Sequence, residues 1–145
     1  MKSGQEVNEK LNQYAVVGKS KIHGKGVFAA KKIKKGTQII QYTGKLVNRK
    51  EGTRRSAIQD KKGAVYIFTL NKKYDIDGLD GGNGAHLINH SCDPNCEAVN
   101  YDDEEVWIEA IRDIKKGEEF SYDYGFEDDA TECRCGAKNC KGKLG

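Results

Sequence analysis

The 145-residue chain carries 25 Lys/Arg against 22 Asp/Glu, a formal net charge of +3, and is 37% hydrophobic. At this length one domain buries about 70% of the surface its unfolded chain exposes, enough for a single core. No apolar run approaches the roughly 18 residues that span a bilayer and no apolar h-region follows Met1, which argues against a membrane span and general export, and a soluble intracellular protein is expected.

In chain order, Glu6 to Gln13 reads as a short helix, because Val7 and Leu11 lie one turn apart. Short apolar runs at Val27 to Ala29 and Ile39 to Tyr42 read as strands. Asn48 to Gln59 follows as a second helix that opens on a capping residue, although Gly52 weakens it. Tyr66 to Leu70, Val106 to Ile111 and Phe120 to Tyr122 complete the strands, and the chain is expected to be mainly β. Pro94 is the sole proline, so glycine does the turning. Two related segments, AAKKIKKG ending at Gly36 and AIRDIKKG ending at Gly117, have matched residues 81 apart and read as repeated turn chemistry between strands. No linker or low-complexity segment divides the chain.

Charge is segregated. Residues 1–55 hold 14 Lys/Arg and 3 Asp/Glu, a net of +11; residues 75–132 hold 3 and 18, a net of −15. The acidic stretch contains the run NHSCDPNC, Asn89 to Cys96, so a functional face there attracts cations and a Lys/Arg-rich protein or peptide is the expected partner. The basic first third lacks a helix-turn-helix or finger pattern, so direct nucleic-acid binding is not expected.

All five cysteines follow residue 90. Cys133, Cys135 and Cys140 form a C-x-C-x4-C triplet which, with Cys92, matches the four thiolates that structural zinc prefers. The tail from Arg134 on has almost no apolar residue but Leu144, and a structural zinc site contributes about 10–16 kcal/mol where hydrophobic burial cannot. Two disulfides with one cysteine left over are the alternative, and Cys96 is the expected bystander.

Five motifs occur in order: KIHGKGVFA (Lys21 to Ala29), QYTG (Gln41 to Gly44), INHSCDPNC (Ile88 to Cys96), EEFSYDYGF (Glu118 to Phe126) and CRCGAKNC (Cys133 to Cys140). Together they resemble a SET-domain protein lysine methyltransferase with a post-SET zinc tail, over roughly Tyr14 to Leu144. The resemblance implies a β-clip-like fold of small sheets with a C-terminal pseudoknot: an N-terminal extension at 1–13, a SET domain at 14–126 and a zinc-binding tail at 127–145. It implies methyl transfer from S-adenosylmethionine to a lysine in a basic tail, a histone or histone-like protein. Such a substrate places the protein at chromatin in a eukaryote or a host, and in the cytoplasm of a bacterium.

Gly24 and Gly26 suit a backbone that approaches a ligand closely. The family pattern carries cofactor contacts onto His23, Lys25, Asn89 and His90, then Tyr66 and Asn83, with Arg134 and Leu144 of the tail beside the adenine. It puts Tyr124 in the catalytic position, Tyr42 and Tyr66 on the walls of a lysine channel, and Tyr122 at a product-specificity position whose hydroxyl favours mono- or dimethylation. Departures are Gln41 in place of a commoner Glu, His86 where Arg is frequent, no cysteine-rich region before the domain, and a short segment between QYTG and Tyr66. A non-catalytic reader of basic tails and a zinc-stabilised interaction platform are the competing functions.

Overall fold

The computed structural model describes residues 9–124. Cys133, Arg134, Cys135, Cys140 and Leu144 of the expected zinc-binding tail therefore lie outside the described residues, as do most of the N-terminal extension and Gly125 and Phe126. In chain order the elements are β1 (Ala15–Lys19), β2 (Lys25–Ala29), β3 (Gln38–Gln41), β4 (Lys45–Asn48), α1 (Arg49–Lys61), β5 (Ile67–Thr69), β6 (Tyr74–Asp77), a 3-10 turn (Ala85–Leu87), β7 (Asn89–His90), β8 (Cys96–Tyr101), β9 (Glu105–Ala110) and β10 (Ser121–Tyr122). The strands form four small sheets, in the orders β1-β2, β3-β9-β8, β4-β6-β5 and β10-β7. No helix of the described residues is long and apolar enough to cross a membrane.

Alternation sets which side of each strand is inside. Val106, Ile108 and Ala110 of β9 are buried while Glu105, Trp107 and Glu109 are not, and Val27 and Ala29 of β2 join the same core with Ile33, Ile39, Ile88, Ile114 and Phe120. Strands β4, β6, β7 and β8, and β1 with them, are absent from the sequence reading. The sequence YDID in β6 reads as a loop, yet Asp75 and Asp77 are buried because Arg49 and Arg55 of α1 pair with them.

The expected N-terminal helix needs correction over its described part. Residues 9–13 have no helical turn. The Asn12 side chain instead accepts from the Tyr14 and Ala15 amides, at 2.8 and 3.0 Å, and Lys10 bridges to Val16. Such a side-chain turn competes with helical hydrogen bonding.

Helix α1 begins as expected: Asn48 Oδ1 accepts from the Glu51 amide at 2.8 Å. Its sequence, RKEGTRRSAIQDK, offers Ala57 and Ile58 as its aliphatic side chains, and Ile58 is exposed. Polar contacts anchor it instead. Arg55 Nη1 reaches Asp77 at 3.0 Å and Asp80 at 2.9 Å, and Arg55 Nε reaches Glu51 at 2.7 Å. Gly52 is a spatial requirement, because a Cβ there would run into the Asp75 carboxylate.

The related eight-residue segments prove to face each other. Ile33 bridges Ile114; the Gly36 amide donates to Ala110 O and the Gly117 amide to Ala29 O, both at 2.8 Å. Both glycines have φ of 89°, which a side chain would strain, so the repeated turn chemistry builds a local pseudo-twofold joint.

Candidate active site

The parallel pair β7-β10 brings NHSC against SYDY, with Asn89 opposite Ser121 and His90 opposite Tyr122. Two residues per strand make a weak ladder, so side chains complete the junction. Asn95, 3% exposed, donates from Nδ2 to Glu119 O at 2.8 Å and accepts the Ser121 amide on Oδ1 at 2.9 Å. Its amide imitates a strand partner for the incoming segment. Farther along, the Tyr124 amide donates to His90 Nδ1 at 3.0 Å. That bond makes Nδ1 an acceptor and assigns the ring proton to Nε2, which faces Cys92 Sγ at 3.3 Å.

Asn89 fastens this junction to the glycine turn between β1 and β2. Its Nδ2 lies 3.0 Å from His23 O, 3.1 Å from Lys25 O, 3.1 Å from Ser20 Oγ and 3.0 Å from Glu119 Oε2. Ser20 Oγ also sits 2.7 and 2.9 Å from the two oxygens of Glu119. Asn89, Ser20 and Glu119 thus hold the backbone of His23 to Gly26 in one shape. Gly26 is essential to it, since a Cβ would collide with the Glu119 carboxylate. At Gly24, φ of 48° and nothing within 4 Å of an added Cβ leave the turn's outer side open. Neither Ser20 nor Glu119 is singled out by the sequence reading, although Glu119 lies within the motif EEFSYDYGF; Asn95 and Gln59 are likewise missed.

A cluster of tyrosines lies beside the junction. The Tyr122 and Tyr124 ring centroids are 5.0 Å apart, and Tyr124 meets His90 edge-on at 5.3 Å. The Tyr124 hydroxyl donates to Ile88 O at 2.5 Å, and the Tyr42 hydroxyl to Tyr66 O at 2.8 Å. Burial, more than neighbouring charge, raises the pKa of Tyr42, Tyr122 and Tyr124 well above the ordinary phenol value. All three are therefore phenols, not phenolates, at neutral pH. Tyr122 is 6% exposed, and no hydrogen bond from the described residues engages its hydroxyl.

Tyr66 is placed by a chain that begins on α1. Gln59, 6% exposed, donates from Nε2 to Asp77 at 3.0 Å and accepts the Tyr66 amide at 2.8 Å. The Tyr66 ring then meets His86 edge-on at 4.9 Å. Burial lowers the His86 pKa against a smaller opposing effect of Asp77, and its Nδ1 is buried with no hydrogen-bond partner among the described residues. Asn83 serves a turn: Nδ2 donates to Gln41 O at 2.8 Å and Oδ1 accepts the Ala85 amide at 3.2 Å.

Cys96 is a core residue, 1% exposed, with its thiol pushed up to about 12 by burial. Cys92 is more accessible. Among the described residues no three potential metal ligands come together, and the other three expected ligands lie outside them.

The result is a small-sheet β domain that seats a late strand on a buried Asn-His pair and lines the seam with protonated phenols. Comparison with known sequences gives that architecture its family: the SET domain model matches residues 24–125. The chain is 38% identical over 157 residues to human histone-lysine N-methyltransferase 2D, an alignment spanning 96% of this chain and 3% of the relative. It is 36% identical over 141 residues to histone-lysine N-methyltransferase trithorax of Drosophila melanogaster, covering 93% of this chain and 4% of the relative. With the H3 lysine-4 specific histone-lysine N-methyltransferase of Schizosaccharomyces pombe it shares 36% over 134 residues, 88% of this chain and 15% of the relative. The chain belongs to the SET domain family, and it spans a small part of the length of these relatives.

Proposed function

We propose that the protein transfers a methyl group from S-adenosylmethionine to a lysine side chain in a basic protein tail, a histone or histone-like protein. The observation that carries this reading is the seam of protonated tyrosines beside a glycine turn held by Asn89 and Glu119. The turn fits a bulky zwitterionic cofactor: its backbone is fixed from within by Asn89 and open outside at Gly24. His23, Lys25 and Asn89 would hold the cofactor there, with His90 through its backbone, since its ring nitrogens face Tyr124 and Cys92. Tyr66 and Asn83 would border it, and Arg134 and Leu144 would cover the adenine. The bound cofactor supplies an electrophilic methyl on a sulfonium.

Presenting a neutral lysine amine near pH 7.4 costs about 3 pKa units, roughly 4 kcal/mol. Phenols with raised pKa values do not take that proton, so Tyr124 is assigned a different part. With its own proton committed to Ile88 O, its oxygen acts as an acceptor that orients the incoming amine. Tyr42 and Tyr66 form the channel walls; the Tyr42 hydroxyl is held by its bond to the Tyr66 carbonyl, and the Tyr66 ring by its edge-on contact with His86. Alignment of nitrogen, methyl and sulfur then contributes through proximity rather than acid–base chemistry. Tyr122, whose hydroxyl is uncommitted, holds a water in the space of a further methyl and favours mono- or dimethylation.

Cys92 with Cys133, Cys135 and Cys140 would bind one structural zinc and dock the tail. The tautomer of His90 suits this, because an Nε2 proton directed at Cys92 supports a thiolate ligand. The acidic net of −15 over residues 75–132 favours a Lys/Arg-rich substrate. Such a substrate places the enzyme at chromatin in a eukaryote or a host, and in the cytoplasm of a bacterium.

The test is transfer from labelled S-adenosylmethionine to core histones and basic bacterial proteins, with Tyr124→Phe alongside. Incorporation on lysine that falls at least about 100-fold in the variant, with S-adenosylhomocysteine binding retained, is the expected result. Unchanged turnover in Tyr124→Phe removes its catalytic role. No incorporation into any acceptor refutes the assignment for these substrates.

A further inference from the structure

The hairpin β8-β9 presents a second surface, facing away from the tyrosine seam. Its residues pair as Glu97 with Glu109, Val99 with Trp107 and Tyr101 with Glu105. All six share one side of the sheet by the alternation of strands, while Val106, Ile108 and Ala110 occupy the buried side. Gln41, paired with Trp107, extends the outer side onto β3, whereas its neighbours Ile40 and Tyr42 are buried. The surface thus lies on the opposite side of the sheet from Tyr42.

Its composition is one-sided. Residues 97–109 contain six Asp/Glu and no Lys or Arg. Glu97 and Glu109 stand directly opposite each other, an arrangement of like charges that opposes folding. Neutral groups hold two of the carboxylates in place. Trp107 Nε1 donates to Glu105 at 2.8 Å, Gln38 Nε2 to Glu109 at 3.1 Å, and the Tyr101 hydroxyl also donates to Glu109. The Tyr101 pKa is raised by its bond to Glu109, then by burial and by the charges of Glu109 and Glu97, although Gln38 opposes this. Among the described residues no Lys, Arg or His nitrogen forms an ion pair with Glu97, Glu105 or Glu109. The face therefore combines oriented carboxylates that have no counter-ion among the described residues with two aromatic rings, Tyr101 being 40% exposed. Guanidinium and ammonium groups meet both features at once, by charge-assisted hydrogen bonding and by stacking over the rings.

We propose that the outer face of β8-β9 is an exosite that docks a Lys/Arg-rich segment of the protein substrate, apart from the lysine being methylated. This rests on the methyltransferase reading above for the identity of the partner. A basic segment relieves the repulsion between Glu97 and Glu109 as it binds, and the exosite raises the local concentration of the tail at the seam.

Trp107 is the chain's single tryptophan, so its fluorescence reports on this face without any turnover. The experiment titrates the full chain with octa-arginine, which carries no methyl acceptor, and compares the double variant Glu97→Gln/Glu105→Gln. The expected result is a saturable change in Trp107 fluorescence that weakens steeply with salt, and an affinity about 10-fold lower in the double variant. In parallel, KM for a full-length core histone rises about 5- to 10-fold while kcat and the KM for a short peptide are unchanged. No fluorescence response, or equal affinity in the variant, overturns the exosite. A Trp107 response that the variant weakens, with no methylation of any acceptor, supports this face as a docking site for basic segments and refutes the methyltransferase reading for the acceptors tried.

Discussion

Asn95 offers a sharp test of how the late strand is held. Replacing Asn95 by Asp keeps the acceptor for the Ser121 amide but removes the donor that meets Glu119 O at 2.8 Å. The site is 3% exposed, so water cannot take the donor's place. An orphaned buried carbonyl costs about 1–3 kcal/mol, and a carboxylate oxygen facing it adds desolvation and repulsion. A total near 3 kcal/mol at neutral pH is expected, and at roughly 2–4 °C per kcal/mol for a chain of this size the melting temperature falls by about 6–12 °C. Protonation changes the outcome, because the acid's O–H donates to Glu119 O as the amide did. The substituted side chain therefore has a folded-state pKa above its unfolded value of about 3.9. The stability tied to its proton is fully present below the unfolded pKa and is lost as pH rises through the folded one, so the deficit shrinks in acid. Thermal melts by circular dichroism at about pH 4.5 and 7.5 check this, with Asn95→Ala as a reference whose deficit does not follow pH in this way. Melting within about 2 °C of the parent at the higher pH, or an equal deficit at both, refutes the strand-partner role of Asn95.

Gln59→Leu leaves the Tyr66 amide without its acceptor and Asp77 without one donor, so urea denaturation should show a loss of about 2–4 kcal/mol, and channel geometry should suffer with it. Tyr122→Phe removes the uncommitted hydroxyl, and mass spectrometry of a methylated peptide should show the product moving toward trimethyl-lysine; a parent enzyme that already makes mostly trimethyl-lysine contradicts the assignment. Cys92→Ser should lower bound zinc from about one per chain toward none by elemental analysis and weaken S-adenosylhomocysteine binding by about 10-fold; full zinc retention removes Cys92 from the ligand set.

Local patterning made part of the fold legible. The runs around Val27, Ile39, Phe68 and Ile108 are apolar enough to mark strands, and Asn48 marks the start of α1 because its side chain caps the Glu51 amide. Strand β6 was hidden, because YDID carries two carboxylates whose burial is compensated by arginines 20 or more residues earlier. Over residues 9–13 the expected N-terminal helix is not formed, for the opposite reason: its apolar spacing carries less weight there than the turn that Asn12 forms with Tyr14 and Ala15. For the site, the motif order identified the family, yet Ser20 acts through the Glu119 and Asn89 side chains, Gln59 through Asp77 and the Tyr66 amide, and Asn95 through Glu119 O and the Ser121 amide, partners that no local pattern records.

The sequence by itself determined the mainly β character, the family, the charge segregation and the residue types of the site, because these follow from composition, period and motif order. Tertiary structure alone decided what each side chain faces. It committed Asn89 to the glycine turn, which lies 66 residues earlier in the chain, and it committed the Tyr124 amide to His90 and the Tyr124 hydroxyl to Ile88 O, because those two contacts are made only when β10 lies against β7. It also decided the ionisation of the tyrosines, since burial raises their pKa values and burial is a property of packing, not of the residue.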